Sequence, residues 1–147
     1  MQFYTLNQIL NDLTTICNNH AQIKQFRFGE YSDISASEQQ HYPLVWADVV
    51  PASIAEKTLL LNLVVRVMDI QKADAWNEQD TLSDTLSIAQ DIYAALSSPI
   101  YEDYFYIQRN VTLNPMREAL DDVVNGWEMN LVFELAQLRD RCQIPAN

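Results

Sequence analysis

Lys57–Gln71 reads KTLLLNLVVRVMDIQ, and the fold of the whole chain turns on how that stretch is read. One alternating set, Leu59, Leu61, Leu63, Val65 and Val67, is wholly apolar, while Leu60, Asn62, Val64, Arg66 and Met68 are mixed. With a side-chain period of two, this predicts a central strand with one face on a core and the other toward solvent or a neighbour. Each large apolar side chain fully buried contributes about 1.5–3 kcal/mol, so the inward set supplies much of the driving force for folding.

Outward from that strand, Leu6, Ile9, Leu10, Leu13, Ile16, Cys17 and His20 fall on one helical stripe. Thr5 and Gln8 form a capping box, with Tyr4 and Ile9 spaced for the accompanying staple. Ile23–Tyr31 alternates as a strand until Gly29 interrupts it, and Tyr42–Ile54 predicts a second strand that stops at or near Pro51. Between them lies a polar arm, SDISASEQQH, at 32–41.

Beyond the central strand, Asn77 and Asp80 offer a cap and a first-turn acid for a second helix. Its apolar stripe reads Leu82, Leu86, Ala89, Tyr93 and Leu96, widened by Ile88 and Ile92. Tyr101–Leu113 alternates as a strand in which Arg109 sits among Phe105, Ile107, Val111 and Leu113, which calls for a carboxylate partner or a bulge. A long loop at 114–125 has room for a short helix in MREAL. Trp127, Met129, Leu131, Phe133 and Leu135 alternate cleanly as the last strand, and 139–147 is a tail. The order α-β-β-β-α-β-β predicts a single α+β domain over 1–147, a largely antiparallel sheet of about five strands with two helices on one face.

Composition bounds the function. The chain has 147 residues, 48% hydrophobic, which suits one domain with a full core. A net charge of −11 argues against simple electrostatic binding to nucleic acid or anionic lipid. Two distant cysteines, Cys17 and Cys142, without a CxxC pair speak against structural zinc or a disulfide framework and for reduced thiols. No stretch is long enough to span a bilayer and the N-terminus lacks a signal pattern, so a soluble intracellular protein is expected. With two glycines in the chain, glycine-rich phosphate loops and dinucleotide fingerprints are excluded.

Catalytic chemistry finds no support in the pattern. His20 and His41 have no second ligand-type residue at a binding spacing. The pairs Asp121-Asp122 and Glu102-Asp103 read as solvated carboxylates, Cys17 as a buried thiol, and no serine carries a nucleophile elbow. The sequon Asn110-Val111-Thr112 falls inside a predicted strand of a protein expected to be intracellular and is set aside. No catalytic residue, metal ligand or cofactor is therefore expected.

Two features invite a functional reading. Ala73–Gln108 holds seven acids, Asp74, Glu78, Asp80, Asp84, Asp91, Glu102 and Asp103, and no Lys or Arg. Such a surface either solubilises, meets a basic partner, or lets a polyanion slide past. Trp76, Tyr101, Tyr104 and Tyr106 lie outside the inward sets and are residue types common at subunit interfaces.

Taken together, the element order, the arm SDISASEQQH, the strand KTLLLNLVVRVMDIQ, the helix LSDTLSIAQDIYAAL and the closing NPMREALDDVVNGWEMNLVFEL resemble the small tail-completion, tail-terminator and neck-ring (head-tail connector) proteins of tailed bacteriophages, crAss-like phages among them. The resemblance spans about Leu6 to Cys142 and implies a virion structural subunit, assembled in the host cytoplasm, that forms a homo-oligomeric ring. It implies contacts with other neck or tail proteins, a channel passing DNA without sequence-specific binding, no membrane and no catalytic residue. Asp74, Glu78, Asp80, Asp84, Glu102 and Asp103 then become candidates for the lumen or a partner surface, and Trp76, Tyr104, Tyr106, Asp121 and Asp122 for subunit contacts. An acidic DNA-mimic inhibitor of a nucleic-acid enzyme is the alternative, and a small-molecule enzyme the third.

Overall fold

The computed structural model describes residues 2–30, 40–70, 77–119, 124–137 and 144–145. Helix α1 spans Leu6–Asn19 and α2 Glu78–Leu96, and the strands are β1 (Gln25–Phe28), β2 (Leu44–Ile54), β3 (Thr58–Ile70), β4 (Tyr106–Ile107), β5 (Leu113–Ala119) and β6 (Val124–Ala136). The protein is α+β, and its six-stranded sheet runs β1-β2-β3-β6-β4, with β5 also on β6. Every pairing is antiparallel except β1 with β2.

β3 is central, as its alternation predicts. Leu61, Leu63, Val65 and Val67 are buried on the helix side, together with Met129, Leu131, Phe133 and Leu135 of β6 and Ile9, Leu13, Ile88 and Ile92 of the helices. β3 and β6 pair without a slip from Thr58↔Ala136 to Ile70↔Val124. Gly126 makes that closeness possible, because a Cβ there would lie 1.8 Å from the Val67 carbonyl oxygen. The mixed face is only partly open. Leu60, Asn62 and Arg66 are half-buried, and Met68 is buried in a second apolar cluster with Leu44, Trp46 and Val124.

α1 is set by its capping box: the Gln8 amide N–H donates to Thr5 Oγ1 (3.2 Å) and the Thr5 amide N–H to Gln8 Oε1 (2.8 Å). α2 begins where the acid-rich first turn predicts, but the Asn77 side chain makes no capping bond. Its buried stripe is rotated from the predicted one: Thr81, Thr85, Ile88, Ala89, Ile92 and Leu96 face the core, while Leu82, Leu86 and Tyr93 are half-buried. Thr85 is tolerated there because its hydroxyl donates to the Thr81 carbonyl (2.7 Å), so that hydroxyl is not buried unpaired.

Four local expectations are corrected. β1 is shorter than Ile23–Tyr31, since the chain turns at Gly29, whose φ of 155° an L side chain rarely adopts. β2 does not stop near Pro51; a bulge between Val50 and Ser53 carries it past the proline to Ile54. Tyr101–Leu113 is not one strand. Pro99–Tyr101 is a 3-10 turn whose Ile100 N–H meets Ser98 Oγ, Tyr106–Ile107 pairs with β6, and after the Gln108 N–H donates to the Val132 carbonyl (3.0 Å) the chain leaves the ladder until Leu113. Asn110 is thus an exposed residue outside any strand, which removes the structural one of the two grounds for setting the sequon aside. Finally, MREAL holds no helix, because Leu113–Ala119 is β5, the outer partner of Val124–Met129.

Candidate functional site

The predicted acidic surface does not form one patch. Asp80 and Asp84 are exposed on the first turns of α2, but Glu78 is engaged by Arg117 at 3.0 Å and Asp91 by His20 at 2.8 Å. Glu102 and Asp103 lie past the far end of the helix, roughly 24 Å along its axis from Asp80. There the Asp103 carbonyl accepts the Gln2 amide N–H (2.7 Å), tying the N-terminal segment to this turn. Asp74, Trp76, Asp121 and Asp122 lie outside the described residues.

The two described aromatic candidates part company. Tyr104 is half-buried and its ring packs on Tyr4 at 5.0 Å, within a cluster of Tyr4, Tyr101, Tyr104 and Phe105 that leans edge-on against Phe133. Burial and the hydrogen bond it donates to Asp12 raise the Tyr4 hydroxyl well above its ordinary pKa, and burial raises Tyr101 as well. These rings serve the fold. Tyr106, by contrast, is 44% exposed at the sheet margin.

Among the described residues, reactive groups do not converge. Cys17 is buried in α1, where desolvation pushes the thiol up to about 12, so it carries almost no thiolate at neutral pH. The His20–Asp91 contact joins residues too distant in sequence for any spacing rule to find, yet it gathers no third metal ligand among the described residues. Among the described residues no group of three metal-ligating side chains exists.

The feature that sequence reasoning missed is a groove between α2 and the connection from β4 to β5. It has two lobes, of about 380 and 290 Å³, and Tyr93 and Arg109 line both. Leu96, Phe105 and Ile107 give the first lobe an apolar floor, and Ala89, Val111, Leu113 and Met129 do so for the second. Tyr93 holds the connection in place, its hydroxyl lying 3.3 Å from both the Gln108 and Arg109 carbonyl oxygens. Arg109 is exposed and forms no salt bridge to any described residue, though Glu102 lines the same lobe. The predicted carboxylate partner is absent within the described part of the chain because the strand ends before Arg109 and frees its side chain. No protein-family model matches the chain, and no curated protein matches it.

Proposed function

We propose that this protein is a structural subunit that assembles into a ring at the head-tail junction or tail end of a tailed phage. The observation that supports it is where exposed apolar surface lies. The outward residues of α1 are Asn7, Gln8, Asn11, Thr15, Asn18 and Asn19, and those of α2 are no more apolar than Ala94. Phe28, Val49, Ile54, Ile70 and Tyr106 are instead exposed at strand ends and sheet margins, and Phe3 and Ile100 flank the helices. Exposed large apolar groups at opposite margins favour side-by-side packing of copies, while a polar helix layer stays wet.

In that arrangement Asp80 and Asp84, on the solvent side of α2, suit a channel wall, because like charge weakens adhesion of a passing duplex. The DNA-mimic alternative draws on the same acids but is weakened by the engagement of Glu78 and Asp91 with Arg117 and His20. Negative-stain imaging and sedimentation of the purified protein test the ring. Closed rings, or incorporation into tailed particles, are expected; a monomer at every concentration that is also absent from particles would refute the proposal. Salt-sensitive one-to-one binding to a nucleic-acid enzyme would favour the alternative.

A further inference from the structure

We infer that copies of this chain join head to tail, the β2–β3 turn of one entering the Tyr93–Arg109 groove of the next; this deepens the ring reading and rests on it. The turn is a built knob. Ile54 is 71% exposed, Ala55, Glu56 and Lys57 are exposed beside it, and the tip is held by the Ala55 N–H donating to the Thr58 carbonyl (2.8 Å) and the Gln137 N–H to the Lys57 carbonyl (3.1 Å). A tip already ordered loses little freedom on docking.

The groove offers complementary chemistry. An apolar lobe floored by Leu96, Phe105 and Ile107 accepts an isoleucine side chain, Arg109 faces a carboxylate, and Glu102 on the same rim faces an ammonium. Glu56 and Lys57 supply that charge pair in adjacent positions, so both signs match across the contact.

A copy does not fill its own groove, since none of Ile54, Ala55, Glu56 and Lys57 lines either lobe. In the order β1-β2-β3-β6-β4, the turn belongs to the β2–β3 side, whereas the groove lies beyond β6 at the β4 margin. A contact between two different patches of one surface is heterologous, and repetition of such a contact generates a ring when the rotation closes.

Sedimentation velocity on the full chain tests this with charge reversals at two exposed positions, Glu56→Lys and Arg109→Glu, with circular dichroism melting to confirm the fold. Each single variant is expected to lose the oligomer. An equimolar mixture of the two is expected to recover an alternating oligomer, since the turn of each variant carries the charge that suits the groove of the other. The double variant in one chain is expected to recover the oligomer. Single variants that assemble like the parent would overturn this interface while leaving the ring reading standing. A parent chain that stays monomeric up to about 1 mM overturns this interface, and one that is also absent from tailed particles overturns the ring reading as well.

Discussion

Gly126→Ala probes the junction on which the sheet depends. The added methyl carbon would lie 1.8 Å from the Val67 carbonyl oxygen, 2.8 Å from its carbon and 3.0 Å from Met68 Cα. Carbon–oxygen contacts in sheets settle near ~3.3 Å, so β3 and β6 must part locally by roughly 1.5 Å. The obstacle is backbone, so no rotamer change relieves it. Parting the strands weakens about two ladder hydrogen bonds at ~1 kcal/mol each, and overpacking adds ~1–3 kcal/mol. Removing glycine from the unfolded ensemble offsets about 0.4–1 kcal/mol, which leaves a net loss of ~2–4 kcal/mol. For a chain of this length that corresponds to a fall of roughly 4–16 °C in Tm. Thermal melting followed by circular dichroism, with urea unfolding as a cross-check, measures it. A Tm unchanged within about 1 °C would show that β3 and β6 do not pair as described at Met68↔Gly126.

Three other perturbations follow from the same structure. Glu128→Ala leaves the Arg66 guanidinium, whose side chain is 14% exposed, without its 3.0 Å carboxylate partner; a loss of about 1–3 kcal/mol is expected in urea unfolding, and Arg66→Met should cost less because it removes the charge as well. Leu63→Asp places a carboxylate at a position with no solvent exposure on the central strand, so soluble expression should collapse, and a parent-like melt would mean the helix-facing side is misassigned. Cys17, with its thiol pushed up to about 12, should resist thiol reagents at pH 8 until the protein unfolds. Because the unfolded thiol ionises near its ordinary 9.0, the Cys17 contribution to stability is complete below that pH and is lost as pH rises toward 12; a stability independent of pH across that window would contradict the burial.

What could be read from the residues was what local periodicity decides. β3 and β6 announce themselves because one face of each is apolar without exception, and α1 because Thr5 and Gln8 cap it at short range. The errors share a cause, the override of local preference by pairing partners far along the chain. Asn114, Pro115, Arg117 and Glu118 carry little strand preference, yet Asn114 and Pro115 lie opposite Glu128 and Trp127 because the long, regular β6 offers a free side. The alternation through Tyr104–Ile107 mimics a long strand, but Tyr104 and Phe105 are drawn out of it by ring contacts with Tyr4, one hundred residues earlier. The apolar spacing of α2 puts Leu82 and Leu86 in its stripe because a buried threonine looks polar in sequence, whereas the Thr85 hydroxyl is bonded to the preceding turn. The groove at Arg109 was illegible for the same reason: its walls come from α2, β4, β5 and β6, and no spacing rule assembles Ala89, Arg109 and Met129.

The antiparallel ladder from Thr58↔Ala136 to Ile70↔Val124 also has a history inside the ribosome. β3 is synthesised well before its second partner, and at about 5–20 residues per second the interval before β6 follows it is on the order of several seconds. Throughout that interval Leu61, Leu63, Val65 and Val67 have β2 and α1 to lean on but no β6 and no finished α2 at the outset. Translation therefore holds a greasy, half-edged sheet in water for far longer than a hairpin takes to close. Its nascent state, more than its native one, is where this protein is most exposed to clumping and most in need of a chaperone.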